Sequence, residues 1–345
     1  MPDLSWGLCK IWNSSIEKGR DPKPIQPRDH LWASELGGSM VDIYLKLKGT
    51  EPSNPPNARS NRKFEAGNMM EWIVEMVLRR AGLCVDVQKW VSWKYPGLLE
   101  VTGRIDFLAG GQPDWELAEK SLEALGLPEF FGRGARAIIN DFKANFQSGI
   151  PVLPLEVKSC SSYMFERYSN GGVNEGHQLQ LFHYMKSENY NEGHLVYISK
   201  DDLRMIEQGI TNPSPLEELY KNKIETITNY YNSNERPPLE PELVFENGRV
   251  SSNWKIEYSG FLKMLYGYDE PENYRERWKS DVGGFNRALG RIARAEKITP
   301  NNREKIAKMS ALIPELANMD KKSDQELYDL GKTWKNVESE TEENE

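Results

Sequence analysis

Long apolar runs are missing from this sequence. Its hydrophobic stretches are short and broken by charge, so none could cross a bilayer as a helix. The opening residues, MPDLSWGLCKIW, carry neither the basic stretch nor the apolar core of a secretory leader, and a cytoplasmic chain is the expectation. Cysteine is scarce, with Cys9, Cys84 and Cys160 the only three in 345 residues. They are too few and too scattered to build a zinc or iron–sulfur centre, and they point to reduced thiols rather than a disulfide frame. No internal repeat and no long glycine- or serine-rich linker divides the chain. An excess of positive charge is lacking too: the net charge is −8, which argues mildly against nucleic acid as a partner. Much of that negative charge sits in ESETEENE, 338 to 345, expected as a disordered acidic tail. Basic residues cluster elsewhere, at Arg59, Arg62 and Lys63, at Arg79 and Arg80, and at Arg287, Arg291, Arg294 and Lys297. Charge leaves the partner open.

What is present is an ordinary globular composition, long enough for one large domain or two modest ones. Residues 1–29 read as irregular. DHLWASELGGSMVDIYLKLKG, 29 to 49, reads as a short helix ended at Gly49, and the Pro/Asn-rich stretch after it as a loop. Apolar residues at Met69, Met70, Ile73, Val74, Val77 and Leu78 make a helical stripe over 64–83, stopped by Gly82. CVDVQKWVSW and LLEVTGRIDFLAG read as antiparallel strands joined at Lys94–Gly97. An insertion, 111–150, has Phe131, Ala135, Ile138, Ile139, Phe142 and Phe146 at helical spacing. A strand, VLPLEVKS, then follows. After a loop at Gly171-Gly172 come the helix EGHQLQLFHYMKSEN, a strand over 194–199 and a charged helix to about residue 232. Beyond the Pro-rich RPPLEPEL the sequence is mostly polar and helical.

Opposite charges on an apolar strand need an explanation, because a buried charge is costly unless paired or bound to a metal. In PLEVKS, Glu156 and Lys158 share one strand face while Leu155 and Val157 share the other. The same alternation puts Arg104 and Asp106 on one face, with Ile105 and Phe107 opposite. Neighbouring strands could then gather Asp106, Glu156 and Lys158. Two carboxylates and a backbone carbonyl form an all-oxygen, partly open donor set suited to Mg²⁺ or Mn²⁺. Glu-x-Lys alone is weak, since about one such tripeptide arises by chance in a chain this long. Asp141-Phe142-Lys143 is a decoy of similar form, but its surroundings read as a helix, where i and i+2 do not share a face. Two further features converge: Glu71 one turn after Gly67 on the long helix, and Gln180 with Tyr184 at i and i+4.

Glycine, three acids, lysine and then Gln-xxx-Tyr, in that order, resemble the PD-(D/E)XK nuclease superfamily. The resemblance is to its RecB-like and phage lambda exonuclease-like (YqaJ-type) branch, over about residues 30 to 262. It implies an α/β fold with a restriction-endonuclease-like αβββαβ core over 30–265, carrying the helical insertion at 111–150 and a C-terminal helical extension at 266–337. It implies a metal-dependent DNA exonuclease acting on single- or double-stranded ends in recombination, repair or replication of a phage or mobile-element genome. The site residues carried over are Glu71, Asp106, Glu156, Lys158, Gln180 and Tyr184. Asp106, Glu156, the Val157 carbonyl and Glu71 are the metal donors, and Lys158 positions the attacking water. Arg59, Arg62, Lys63 and Arg104 are candidates for gripping DNA. Homo-oligomers or a recombination or replication partner protein fit this branch; no membrane partner is expected. An endonuclease of the same fold and a catalytically silent DNA-binding subunit are the rival readings. Some relatives carry an iron–sulfur cluster in a segment resembling W-x-C-x-Y-C-x-[YF]. Here that segment reads Trp254 to Phe261 with Ile256 and Ser259 at the cysteine places, and Ser39 stands at the first, so no cluster is expected.

Bland readings stand beside these. Glu156 and Lys158 could be a structural ion pair, Asp106 a strand-end cap, Glu71 a solvated helix residue and the basic loop a solvated surface. His177 and His183 read as polar helix residues rather than ligands, and the ten tryptophans as packing, with Trp72 the one that could stack on a base.

Overall fold

The computed structural model describes residues 25–124, 129–145, 149–211, 214–246, 248–294 and 296–332. The acidic end, Cys9, Phe146 and most of the segment expected to be irregular lie outside these residues. So do the side chains of Phe131, Ala135, Ile138 and Phe142 in the insertion. Two compact units form. One comprises residues up to Gly38, Lys46–Thr50 and Pro56–Glu235; the other comprises Ser39–Leu45, Glu51–Pro55 and residues from Arg236 onward.

The single helix expected over 29–49 is replaced by a strand, β1 (His30–Trp32), and a 3-10 turn (Ala33–Glu35) in the first unit and by a helix, α1 (Met40–Leu47), whose residues to Leu45 cluster with the second. The reason is tertiary. His30, Leu31 and Trp32 pair in parallel with Glu100, Val101 and Thr102, which satisfies through the sheet the backbone groups a helix would have satisfied locally. Helix α2 (Ala58–Arg80) starts earlier than its apolar stripe, because the Asn57 side chain accepts a hydrogen bond from the Ser60 amide at 3.0 Å. Arg79 and Arg80 sit in its last turn, where cations complement the helix dipole. Strands β2 (Cys84–Trp93) and β3 (Glu100–Gly111) are antiparallel as expected. The insertion forms α3 (Trp115–Ala124) and α4 (Glu129–Asn145), so Asp141 and Lys143 are helical.

Strand β4 (Ile150–Cys160) follows, and then a helix the sequence did not reveal, α5 (Ser162–Ser169), capped by Ser161. Helix α6 (Glu175–Glu188) is capped by Asn174 at one end and by Asn189 in the left-handed conformation at the other. Strand β5 (Glu192–Ser199) pairs with β6 (Met205–Thr211), hidden in the sequence because its residues are mostly polar and exposed; α7 (Ser214–Ser233) closes the unit.

These strands make one mixed sheet in the order β1-β3-β4-β5-β6, with β2 on the far edge of β3. The α/β class and the helix–strand–strand–insertion–strand–helix–strand order are those expected, with β1, α5 and β6 added. Helix α2 covers one face, where Val74 packs with Phe107, Val157, Val196 and Ile198. Helix α6 covers the other: a Cβ placed on Gly193 would meet Leu181 and Met185 at 3.0 and 3.1 Å, and 193 and 196 point to opposite faces.

One edge of β3 is shared. β1 pairs with Glu100–Thr102 and β4 with Phe107–Gly111, so Gly103–Asp106 have no strand beside them on that edge. The sheet therefore carries a notch between β1 and β4.

The second unit holds a hairpin, β7 (Leu243–Glu246) and β8 (Arg249–Ser252), then α8 (Trp254–Glu257), α9 (Leu262–Tyr266), α10 (Pro271–Ala293) and α11 (Pro300–Ser310). Tyr274, Phe285, Ile292, Ile306 and Met309 anchor its core. Residues 236–265 cluster with this unit. Within it Ile256 is buried, Ser259 Oγ donates to Asp42 at 2.8 Å, and Ser39 is buried with its hydroxyl unpartnered. Among the described residues no helix is long and apolar enough to cross a membrane.

Candidate active site

The notch is where the charged residues meet. Phe107 pairs with Leu155, so Asp106 and Glu156 occupy the next rung, where β3 and β4 part. The Asp106 carboxylate replaces the lost strand partner, its Oδ2 accepting from the Val157 amide at 2.9 Å. Glu156, 2% exposed, receives Lys158 Nζ on Oε1 at 2.5 Å, while its Oε2 is buried with no hydrogen-bond partner among the described residues. Val157 itself turns its side chain into the α2 cluster.

Glu71 reaches the same notch from α2. Between it and Asp106 stands Gln88, whose Nε2 donates to Asp106 Oδ1 at 3.3 Å and lies 3.5 Å from Glu71 Oε2. Gln88 has φ +55° inside β2, a left-handed conformation unusual for a residue with a Cβ, and the β2–β3 ladder skips the Gln88–Asp106 rung. The expected strict alternation along β3 fails here. Gly103 lies against α6, where an added Cβ would meet Tyr184 Cε1 at 2.6 Å, yet Phe107, four residues on, packs under α2. The strand turns over between them, and that turn aims Asp106 into the notch. No spacing in the sequence announces Gln88, because its place depends on this local backbone conformation.

From the α6 side come Gln180 and Tyr184, whose i, i+4 relation is expressed as a hydrogen bond from Gln180 Nε2 to the Tyr184 hydroxyl at 2.8 Å. One cleft of about 380 Å³ is lined by Glu71, Gln88, Arg104, Asp106, Glu156, Lys158, Gln180 and Tyr184, with Trp32 and Trp90 at its side. All six sequence-derived catalytic candidates share it.

Burial dominates the electrostatics. It pushes Glu156 up to about 8, against the opposing pull of Lys158, with the neighbouring Asp106 charge adding to the rise. Burial and then Asp106 push Glu71 up to about 7. Asp106 is raised as well, by burial. Burial works against the Lys158 charge, but Glu156, Asp106 and Glu71 together outweigh it and hold the ammonium above its ordinary value. This is a desolvated acidic trio with one cation, Lys158, among them and a second, Arg104, on the cleft wall. The orphaned Glu156 oxygen beside a second carboxylate is the donor chemistry a hard divalent cation takes. Among the described residues no group of three or more His, Cys, Asp or Glu side chains is arranged as a ready metal cage. The donor set is two carboxylates plus backbone, not a closed cluster.

Elsewhere the sequence candidates scatter. Arg104 lines the cleft, whereas Arg59, Arg62 and Lys63 lie on the first turns of α2 and do not. His177 bonds the Tyr197 hydroxyl at 3.1 Å and His183 the Tyr220 hydroxyl at 2.8 Å; burial holds both near 3, hence neutral. Trp72 is exposed but outside the cleft.

No family model matches this sequence, and no curated protein matches it. Among solved structures, SSO0001 is similar at 13% identity and a TM-score of 0.39, over 76% of this chain and 95% of that one. The alkaline exonuclease LHK-Exo from Laribacter hongkongensis is similar at 11% identity and a TM-score of 0.38, over 65% of this chain and 93% of that one. Its complex with dAMP is similar at 12% identity and a TM-score of 0.37.

Proposed function

We propose that this chain is a Mg²⁺- or Mn²⁺-dependent DNA nuclease of the PD-(D/E)XK superfamily, acting as an exonuclease at DNA ends in recombination, repair or replication. The observation that carries the reading is the notch: Asp106, Glu156 and Lys158 converge in an open cleft, and a buried Glu156 oxygen has no partner there. A structural ion pair needs neither an open cleft nor an orphaned oxygen.

Asp106, Glu156 and the Val157 carbonyl would hold the cation, with Glu71 at its water shell. When bound, it supplies Lewis-acid polarisation of the phosphodiester and a more acidic water. The rest falls to the chain's own residues. Lys158 donates to the attacking water and sets it in line with the scissile bond, beside the charge that builds on the phosphoryl oxygens. Gln180 and Tyr184 hold one another and fix the α6 side of the cleft. Water adds to phosphorus and gives up a proton, the bond to the 3′ oxygen breaks, that oxygen leaves as a 3′-hydroxyl by taking up a proton from solvent, and the product keeps a 5′-phosphate.

The test is digestion of linear DNA labelled at either end, blunt and single-stranded, beside a covalently closed circle, with Mg²⁺, Mn²⁺ or EDTA. Cleavage of the linear forms alone is expected, abolished by EDTA and reduced at least about a hundredfold by Lys158→Ala. Cleavage of the circle would replace the exonuclease reading with an endonuclease. Absence of cleavage in Mn²⁺, or cleavage unchanged by Lys158→Ala, would overturn the nuclease reading itself.

A further inference from the structure

Beside the acidic cleft lies a second groove of about 300 Å³, lined by His30, Trp32, Trp90, Val91, Ser92 and Thr102. The two share Trp32 and Trp90 as a common wall. Trp90 is 62% exposed, although it stands in the middle of a strand. An indole left in water at the lip of a polar site forgoes the burial that usually justifies its size. Nor is it isolated: the Trp32 ring lies 5.5 Å away at 51°, and His30 meets Trp32 edge-on at 5.4 Å. The Arg104 guanidinium sits over the Trp90 ring, 5.8 Å from its centroid, while also lining the cleft that holds Asp106. Arg104 and Trp90 face each other across the β2–β3 ladder, so cation and ring are held on rigid strands.

Resting on the nuclease reading above, we propose that Trp90, with Trp32 and His30 behind it, is a stacking subsite for one unpaired nucleobase next to the reacting phosphodiester. Arg104 meets the phosphate between that base and the cleft. A flat aromatic face takes any base, because every base has a π-face, and a guanidinium beside it takes the adjoining anion. The pairing of ring and cation is what a nucleotide presents, with base and phosphate joined. A base held this way cannot be paired, so the substrate end is single-stranded or frayed where it enters.

The test uses the full chain in EDTA, where binding is read without cleavage. A short oligothymidylate is titrated against wild type, Trp90→Ala, Trp90→Phe and Trp32→Ala while tryptophan fluorescence is followed. Strands carrying one abasic residue, walked along the sequence, are titrated in parallel. Wild type should lose about tenfold in affinity when the abasic residue reaches one particular position, with loss of quenching. Trp90→Ala should lose the same factor on the intact strand and nothing further on the abasic one, and Trp90→Phe should restore most of it. Equal binding of intact and abasic strands by wild type, or an abasic effect that persists in Trp90→Ala, overturns the subsite. Because binding is measured in EDTA, a chain that stacks the base but fails the Lys158→Ala cleavage test would keep the subsite and lose the nuclease. A chain that cleaves but shows no abasic position would do the reverse. Failure to bind the strand at all overturns the subsite, while the cleavage test alone decides the nuclease.

Discussion

Gln88 decides how close two acids stand. Its amide donates to Asp106 and reaches toward Glu71, and the backbone holds φ +55° to put it there. A left-handed conformation at a residue with a Cβ costs about 1 kcal/mol or more, and such strain persists where the surroundings over-determine it. Gln88→Gly should therefore raise stability by up to about 1 kcal/mol in chemical denaturation while lowering the cleavage rate about tenfold or more. Activity unchanged by that variant would reduce Gln88 to a kink. Glu156 and Lys158 are legible in the sequence because a two-residue period puts them on one face of β4, opposite Val157, whereas Asp106 reaches the notch through a turn of β3 that the period does not announce. Gln88 is not legible there, because its backbone conformation is fixed by strands that meet only in the fold. Trp90 is hidden in the sequence for a similar reason: ten tryptophans look alike until the fold shows Trp90 uncovered beside Arg104.

Among the elements, those with a strong internal pattern were read correctly from sequence, as α2, α6 and the β2–β3 pair show. Those defined by their neighbours were not. The three residues of β1 have no pattern of their own, and β6 exists because β5 offers it an edge. Gly103 shows how an element sets the site without joining the chemistry. Any Cβ there collides with Tyr184 at 2.6 Å and crowds Ala33 at 3.1 Å, so β3 and α6 approach this closely only through glycine. Gly103→Ala should destabilise the fold by about 1–3 kcal/mol and depress cleavage by shifting Tyr184, which a denaturation midpoint and a rate on one substrate would show. Wild-type values for both would mean that α6 yields without consequence.

For the whole molecule, two sets of buried groups pull stability in opposite directions with pH. Glu71 and Glu156 titrate near 7 and 8 when folded against an ordinary 4.5, so the stability they lend is full below 4.5 and is lost as pH rises through 7 to 8. His177 and His183 titrate near 3 against an ordinary 6.5, so theirs is full above 6.5 and is lost as pH falls toward 3. In the window between 4.5 and 6.5 the two trends oppose one another, with the raised Asp106 adding to the carboxylate side, which predicts a shallow slope flanked by a steeper acid and a steeper alkaline limb. Thermal unfolding in EDTA should trace that shape, and Glu156→Gln should flatten the alkaline limb. Added Mg²⁺ should stabilise the protein more at pH 8 than at pH 6, since cation binding requires bare carboxylates. A limb unmoved by Glu156→Gln would show that the buried acid is better solvated than its setting implies.

The two-residue repeat of β4 has a last consequence. A slip of one residue against β3 would swing Glu156 and Lys158 through to the hydrophobic side beneath α2 and deliver Val157 to the cleft. A one-residue slip would therefore empty the cleft of both charges at once, so the candidate site tests the register of this sheet.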